Sequence, residues 1–286
     1  MTRVALLALA VLAAADQQPS TGASTDVARV VAAASQWTAR FEQGLSGLLF
    51  RERYLQKTNG ASGALTAMTT PGGRRDQLLT EANLFLVRAG AAGELVLFRD
   101  VYRAYGREVA DHTDRLQKLL TEASAKSIQQ ARRLSEASAR YNVGNVTRTV
   151  NIPTMAFRYL EAGIVDGVQF SHAGSETIDG FPTVIVDFEE VRTPTVVRGT
   201  NYRDVPARGR YWIHPDSGAV VRAQVEFSST DLAGRMEVDL MLHPQLAVWV
   251  PKAMTEAWRA LGQRITGLAE YDRYQRLVIA TDEIIK

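Results

Sequence analysis

Polar and apolar side chains alternate strictly along the stretch Val221–Phe227. Valine, alanine and phenylalanine fall on one side, and arginine, glutamine and glutamate fall on the other, which is the two-residue period of a half-buried strand. With the aromatic stretch from Arg208 and the turn Pro215-Asp216-Ser217-Gly218, this pattern predicts a β-hairpin over Arg208–Phe227. One-faced strands build an antiparallel sheet whose apolar side must be covered, so the nature of the cover is the functional question.

The same alternation predicts strands before and after this hairpin. Asp179-Gly180 is a typical two-residue hairpin turn. The predicted strands are Leu48–Lys57, Leu84–Arg88, Glu94–Tyr102, Val168–His172, Glu176–Ile178, Pro182–Phe188, Arg235–Leu242, Val248–Val250 and Arg264–Thr281.

Two segments have helical periodicity instead. The first begins near Asp26, with Ser24 or Thr25 as the N-cap, and its apolar stripe contains Val27, Val30, Val31, Ala34, Trp37, Phe41 and Leu45. The second is a helical block over 111–161, which ends in a short helix opened by Pro153. This layout predicts an α+β fold, in which residues 25–286 form a single domain with a curved antiparallel sheet covered by helices.

The first 24 residues have a different character. A positive Arg3, the apolar run Val4–Leu12 and the small residues Ala13-Ala14-Ala15 are typical of a signal peptide over 1–15, cleaved after Ala15. The alternative is a buried core helix. Residues 16–24 are polar and small, which predicts a flexible linker. The protein is therefore expected to be exported to the periplasm or the cell exterior, with no transmembrane segment in the mature chain.

Composition removes several classes of function. The chain has 286 residues and no cysteine, which excludes disulfides, thiolate metal sites and a cysteine nucleophile. The formal charge of +2 falls to +1 once Arg3 leaves with the signal peptide. No basic block is present, so a nucleic-acid partner is not expected.

Enzymatic motifs are not found. The four histidines lack metal-site spacing, and the chain has neither a Gly-x-Ser-x-Gly elbow nor a glycine-rich phosphate loop. We expect no metal, no cofactor and no enzymatic activity. Glu237 and Asp239 share one face of their strand, as do Arg222, Gln224 and Glu226 of theirs. These residues favour a solvated polar face with cross-strand salt bridges over a catalytic pair. Arg99 and Asp100, together with Asp111, Asp114 and Arg115, are candidates for a buried ion cluster, and a structural role in capping and salt bridges is favoured for them.

Three segments resemble periplasmic carrier proteins that sort lipoproteins to the outer membrane. They are Gly209–Ala223, containing Gly-Arg-Tyr-Trp-Ile-His-Pro-Asp-Ser-Gly, the strand Met236–Leu242 leading into Trp249–Met254, and Ala269–Tyr274. The chain is also similar to uncharacterised exported bacterial proteins in the segments Phe98–Val101 and Ser138–Asn142. The resemblance implies a half-open β-barrel, lidded by helices, whose concave apolar face holds acyl chains.

We therefore expect a non-enzymatic protein that binds a lipid, a lipoprotein acyl chain or another apolar ligand on the concave face of its sheet. The tryptophans, with their amphipathic rings, suit the mouth of such a cavity, although ordinary core packing is the alternative for each. The predicted lining residues are Phe98, Trp212, Val225, Val238, Leu240 and Trp249. A second hypothesis is a structural or protein-interaction protein with a self-filled core, and a third is a hydrolase assembled from distant residues.

Overall fold

The computed structural model describes residues 21–59, 76–89, 94–110, 139–144, 148–199, 202–230, 232–260 and 262–276. One α-helix, α1 (Thr21–Leu45), precedes the strands in these ranges. The strands are β1 (Leu48–Asn59), β2 (Gln77–Ala89), β3 (Glu94–Ala104), β4 (Arg107–Glu108), β5 (Val168–Ile178), β6 (Phe181–Glu190), β7 (Ala207–Ile213), β8 (Val220–Ser228), β9 (Leu232–Leu242), β10 (Trp249–Ala260) and β11 (Gln263–Arg276). Short 3₁₀ helices span Ala139–Tyr141, Pro153–Leu160 and Val165–Gly167.

All eleven strands form one antiparallel sheet in the order β4-β3-β2-β1-β11-β10-β9-β8-β7-β6-β5. The sheet is not closed among the described residues, because β4 and β5 each have a strand neighbour on one side only. The first and last of these strands, β1 and β11, pair with each other in the interior of the sheet, with Tyr54 opposite Ala269. The predicted antiparallel sheet is confirmed, and the fold is mostly β.

The sheet is strongly coiled at one end. Phe181 at the start of β6 and Trp249 at the start of β10 have ring centroids 5.2 Å apart, although three strands lie between them. Lys252 of β10 also pairs with Asp179 in the β5–β6 turn at 2.8 Å. A flat sheet would hold β6 and β10 about 19 Å apart.

One large cluster of buried apolar residues covers one face of the sheet, which we call the inner face. Alternation places these residues there: the inward positions of β9, for example, are Met236, Val238 and Leu240, each at most 2% exposed. The helix α1 and the 3₁₀ helix Pro153–Leu160 pack on this face.

Helical cover of the sheet is confirmed in part. Within the predicted helical block 111–161, residues 111–138 lie outside the described ranges, and the described remainder contains 3₁₀ helices. The short helix after Pro153 is observed with Pro153 as its first residue. The predicted signal peptide 1–15 and its cleavage site at Ala15 also lie outside these ranges.

The helix α1 begins earlier than predicted. Its first residue is Thr21, so residues 21–24, predicted as part of the flexible linker 16–24, are helical and neither Ser24 nor Thr25 caps the helix. A small, polar composition indicated a linker, but each residue added to an existing helix gains a hydrogen bond without a new nucleation cost. Residues 16–20 of the predicted linker lie outside the description.

Candidate functional site

Aromatic side chains of two helical segments cover the inner face. Trp37 and Phe41, one turn apart on α1, stack with ring centroids 4.9 Å apart. Phe157 of the 3₁₀ helix packs against Phe41 at 5.0 Å and against Trp37 at 6.2 Å. We call Trp37, Phe41 and Phe157 the aromatic cover. Helical spacing brings the first two to one side of α1, where they meet the sheet rather than solvent.

Three of the predicted lining residues lie together beneath this cover. Val225 of β8 and Val238 and Leu240 of β9 belong to the inner cluster and are at most 2% exposed. Their strands are neighbours, and Ala223 beside Val225 is paired with Val238. Alternation on each strand therefore predicts correctly that they share a face, while their ligand-lining role stays a prediction.

Trp249 stands at the rim of the inner face. Its ring packs edge-on against Trp37 at 6.3 Å and against Phe181 at 5.2 Å. A small apolar cluster on the opposite, outer face of the sheet consists of Ile178, Trp212 and Val221, and Trp249 packs against it as well. Trp249 therefore contacts both the aromatic cover and this outer cluster. A half-buried indole at such a rim suits the entrance to an apolar site.

Trp212 and Phe98 lie away from the other predicted lining residues. Trp212 points to the outer face, where its Nε1 donates to Glu176 Oε2 at 2.9 Å and the guanidinium groups of Arg210 and Arg222 lie 5.9 and 5.7 Å from its ring. Phe98 stacks on Phe85 at 5.0 Å, outside the inner cluster that holds its neighbour Leu97. The six residues therefore do not form one surface.

A set of charged, amide and phenol side chains, all buried except the half-buried Asn142, lies at the inner face of β1, β3 and β10. We call it the buried polar cluster; its members are Glu52, Tyr54, Gln56, Arg99, Asn142, Arg148, Asn151 and Glu256. Arg99 Nε lies 2.7 Å from Glu52 Oε2, and the two side chains are 7% and 0% exposed. Arg99 Nη2 donates to Glu52 Oε1 at 3.0 Å and to the Asn151 carbonyl at 2.6 Å.

A second ion pair lies beside the first. Arg148 Nε is 3.3 Å from Glu256 Oε1, and both side chains are at most 1% exposed. Arg148 Nη2 donates to Gln56 Oε1 at 2.7 Å, and the Tyr54 hydroxyl donates to Glu256. Asn151 Nδ2 donates to Tyr54 at 3.3 Å, which connects the two pairs.

The electrostatics of this cluster indicate a structural anchor. Burial lowers the pKa of the Arg99 guanidinium, but Glu52, Tyr271 and Tyr54 outweigh burial, so that pKa lies above its ordinary value. Burial, together with Glu256, raises the pKa of Tyr54 well above its usual range. A charged arginine and a neutral tyrosine, both hydrogen-bonded, hold Asn151 against the sheet.

The sequence identified this cluster only in part. The prediction that Arg99 enters a buried ion cluster is correct, but its partner is Glu52; the predicted partners Asp111, Asp114 and Arg115 lie outside the described residues. Glu52 was missed, although it stands at an inward position of β1 between Phe50 and Tyr54. A charged residue at an apolar position of the alternation was the available signal.

The outer face of the later strands carries paired charges. Arg222 Nε lies 2.5 Å from Asp239 Oδ1, and Arg208 Nε lies 3.1 Å from Glu226 Oε2. The predicted cross-strand salt bridges are confirmed. A groove of about 590 Å³ over β5–β9 is lined mainly by such polar side chains.

Two further features bear on the kind of site. The histidine, aspartate and glutamate side chains of the described residues form no group of three or more able to hold a metal ion. No helix in those same ranges has the length and apolar character that crossing a membrane requires.

Solved structures similar to this chain include three bacterial proteins. A DUF1329 family protein from Desulfovibrio piger ATCC 29098 has 11% identity and a TM-score of 0.37, covering 90% of this chain and 97% of its own. A domain of a suggested outer membrane lipoprotein-sorting protein from Vibrio parahaemolyticus has 9% identity and a TM-score of 0.37, covering 88% and 94%. The lipoprotein LppX from Mycobacterium tuberculosis has 12% identity and a TM-score of 0.29, covering 88% and 98%.

Lipoprotein-sorting proteins, which the later segments of the sequence resemble, are represented among these structures by the Vibrio parahaemolyticus domain. No family model matches the chain, and no curated protein matches it closely enough to count as a relative.

Proposed function

We propose that this chain is an exported, non-enzymatic binding protein that holds a lipid, an acyl chain or another apolar ligand against the inner face of its sheet. The observation that carries this proposal is the cover over Val225, Val238 and Leu240. That cover is a single amphipathic helix and a 3₁₀ helix, packed through aromatic rings.

The contacts of α1 suit an element that can be displaced. Its stripe buries Val27, Val30, Val31, Ala34, Trp37, Phe41 and Leu45. A polar contact to the sheet is long, with Arg29 Nη1 3.4 Å from the Pro215 carbonyl. Apolar burial is non-directional, at about 25 cal/mol per Å². An acyl chain can therefore replace the α1 side chains with little loss of specific bonding.

A second candidate is a protein-interaction role with a self-filled core. It is favoured by the same aromatic cover, because Trp37, Phe41 and Phe157 already occupy the inner face. On this alternative, the polar outer groove lined by Asp187, Arg208 and Arg210 is the working surface. The two candidates differ in one measurable property, which is whether the inner face ever accepts a ligand.

The test is to express the full chain in a Gram-negative periplasm, purify it without detergent and extract it for lipid mass spectrometry. Stoichiometric lipid supports the binding proposal and identifies the ligand class. A ligand-free protein that also fails to bind a fluorescent fatty acid overturns the proposal in favour of the second candidate.

Variants locate the site once binding is observed. Leu240→Asp places a carboxylate under the aromatic cover and is expected to abolish fatty-acid binding. Trp249→Ala at the rim is expected to weaken it in a protein that still folds. The matched control is Leu268→Asp, because Leu268 is 43% exposed. If folded Leu240→Asp and Trp249→Ala proteins both bind like the parent, the ligand lies elsewhere.

A further inference from the structure

Three leucines lie side by side on the outer face of the sheet. Leu55 of β1 is paired with Leu268 of β11 on one side and with Leu79 of β2 on the other. We call these three residues the leucine row. Leu79 and Leu268 are 39% and 43% exposed, and alternation places them on the outer face because their neighbours Leu78 and Ala269 belong to the inner cluster. Adjacent exposed leucines are typical of an interaction surface.

Basic side chains border the leucine row on one side. Lys57 follows Leu55 by two positions on β1, so both side chains point to the outer face. Arg264 of β11 and Arg259 of β10 lie at the same end of the sheet and are paired with each other. We call Lys57, Arg259 and Arg264 the basic flank. All three are exposed, and within the described ranges none of them has a salt bridge or a side-chain hydrogen bond.

The charges on the other side of the leucine row are compensated. Arg53 lies opposite both Glu270 and Glu81 in the sheet. Its Nη1 is 3.5 Å from Glu270 Oε2, and Glu81 Oε1 is 3.4 Å from Arg103 Nη1. The outer face therefore presents exposed leucines with uncompensated positive charge along one border only.

The pairing of Arg259 with Arg264 indicates a place for an anion. Directly opposite residues of antiparallel strands have Cβ atoms about 4.5–5.5 Å apart, and like charges in such a pair repel. Both arginines line a groove of about 260 Å³, together with Arg208 and Arg235. Among the described lining residues, Glu226 is the one carboxylate, and it already lies 3.1 Å from Arg208. A phosphate between the two opposed guanidinium groups would replace their repulsion with hydrogen bonds.

We propose that the leucine row and the basic flank form a docking surface for a membrane of anionic lipids. A soluble acidic partner would leave the leucines exposed, and an apolar protein partner would leave the arginines without an anion. A lipid surface offers both contacts, because leucine side chains enter its acyl boundary while basic side chains bind its phosphates. A second groove, of about 460 Å³, is lined by Lys57 and Arg264 and gives space for another headgroup.

This surface lies on the face opposite the proposed ligand. Docking therefore needs no ligand on the inner face, and the inference does not rest on the proposed function.

Co-sedimentation with lipid vesicles tests the docking surface. We expect the protein to bind vesicles that contain phosphatidylglycerol at least about tenfold more tightly than vesicles of phosphatidylcholine alone. Sodium chloride at about 1 M, which shortens the screening length to about 3 Å, should release it. Inorganic phosphate should release it no better than sodium chloride of the same ionic strength. Selective release by phosphate would identify a site for a soluble anion and overturn the proposal.

Paired arginine variants locate the contact. Arg259→Gln combined with Arg264→Gln is expected to weaken binding on the order of 30-fold, since each basic residue at an anionic surface contributes roughly fivefold. Because the substitution ends a like-charge repulsion, the variant should unfold at a urea concentration no lower than the parent. The matched control is Arg40→Gln combined with Arg203→Gln, which removes the same charge from exposed arginines elsewhere and should bind like the parent.

Leucine variants test the apolar part of the surface. Leu268→Ser is expected to weaken vesicle binding about three- to tenfold, whereas Leu242→Ser, at a leucine that is 46% exposed on β9, should not. A folded Leu240→Asp protein, whose inner face is blocked, should still dock.

Three results overturn the docking surface. They are equal binding of the parent to both kinds of vesicle, equal binding by the two paired arginine variants, and loss of vesicle binding in folded Leu240→Asp. Fatty-acid binding in solution should be unchanged in the arginine variants and in Leu268→Ser, so the failure of either proposal leaves the other standing.

Discussion

At the scale of single residues, the unusual feature of this protein is charge placed at apolar positions. Glu52 and Glu256 point inward from β1 and β10 and are at most 4% exposed. Gly267, opposite Glu256 in the sheet, leaves space for the side chains of Glu256 and Tyr54, because a Cβ there would lie 2.7 Å from each of them. Burying an ion is costly unless a partner of opposite charge is fixed beside it.

Removing one partner of a buried ion pair should therefore lower the free energy of unfolding far more than removing one partner of an exposed pair. Arg99→Met leaves Glu52 buried and unpaired, and we expect it to lower the free energy of unfolding by about 3–5 kcal/mol. Its matched control is Arg53→Met on the same sheet, because the Arg53–Glu270 pair is about half exposed and should contribute about 0–1 kcal/mol. Urea unfolding of both variants measures the difference.

A double variant tests whether the loss of stability comes from the unpaired charge of Glu52 or from the changed shape of the Arg99 side chain. Glu52→Leu combined with Arg99→Met removes both buried charges and should recover a large part of the loss. Equal stability of Arg99→Met and Arg53→Met would show that the buried pair contributes no more than a surface pair.

At the scale of elements, alternation in the sequence predicts most strands. It fails to predict burial where a charged residue occupies an inward position. The hairpin Arg208–Phe227 is observed as β7 and β8, and Asp179-Gly180 forms the β5–β6 turn with φ of 49° and 86°. Alternation places Glu52 on the same side of β1 as Phe50 and Tyr54, but its charge favours solvent, and its partner Arg99 is distant in sequence. Only the folded sheet brings them together.

The strand β10 is longer than the predicted strand Val248–Val250. Its next residue, Pro251, cannot donate a ladder hydrogen bond. The structure places Pro251 next to a register shift in the pairing with β9. Such an irregularity accommodates a proline, and the strand continues to Ala260.

The seating of α1 depends on the β7–β8 turn. Gly218 in this turn has a φ of +70°, and a Cβ there would lie 2.4 Å from the backbone of Ala33 in α1. The helix backbone therefore rests directly on the turn, an approach that only glycine allows.

Gly218→Ala should push α1 away from the sheet. Gly106→Ala is the matched control, because Gly106 has a φ of +74° and nothing within 4 Å of its Cβ position. Both variants carry the strain of a left-handed alanine, so the extra loss in Gly218→Ala, about 1–3 kcal/mol in the free energy of unfolding, measures the helix contact. Faster hydrogen exchange of α1 amides in Gly218→Ala alone is the second readout, and equal exchange in the two variants contradicts this role for the turn.

At the scale of the whole molecule, one apolar cluster joins the sheet, α1 and the 3₁₀ helix. A ligand on the inner face must therefore either displace the aromatic cover or slide beneath it. Displacement should speed hydrogen exchange of the α1 amides, and sliding beneath the cover should slow it. Both routes bury the inward residues of β8 and β9.

Hydrogen exchange with and without a bound fatty acid tells these routes apart. Because side chains of α1 and the 3₁₀ helix already fill one apolar cluster with Val225 and Val238, we expect displacement: α1 amides exchange faster in the loaded protein, while β8 and β9 amides exchange more slowly. Ligand at about 100 times its dissociation constant should also raise the free energy of unfolding by about 2.7 kcal/mol. Slower exchange in α1 would mean that the helix closes over the ligand, and unchanged exchange everywhere would favour the self-filled, protein-binding alternative.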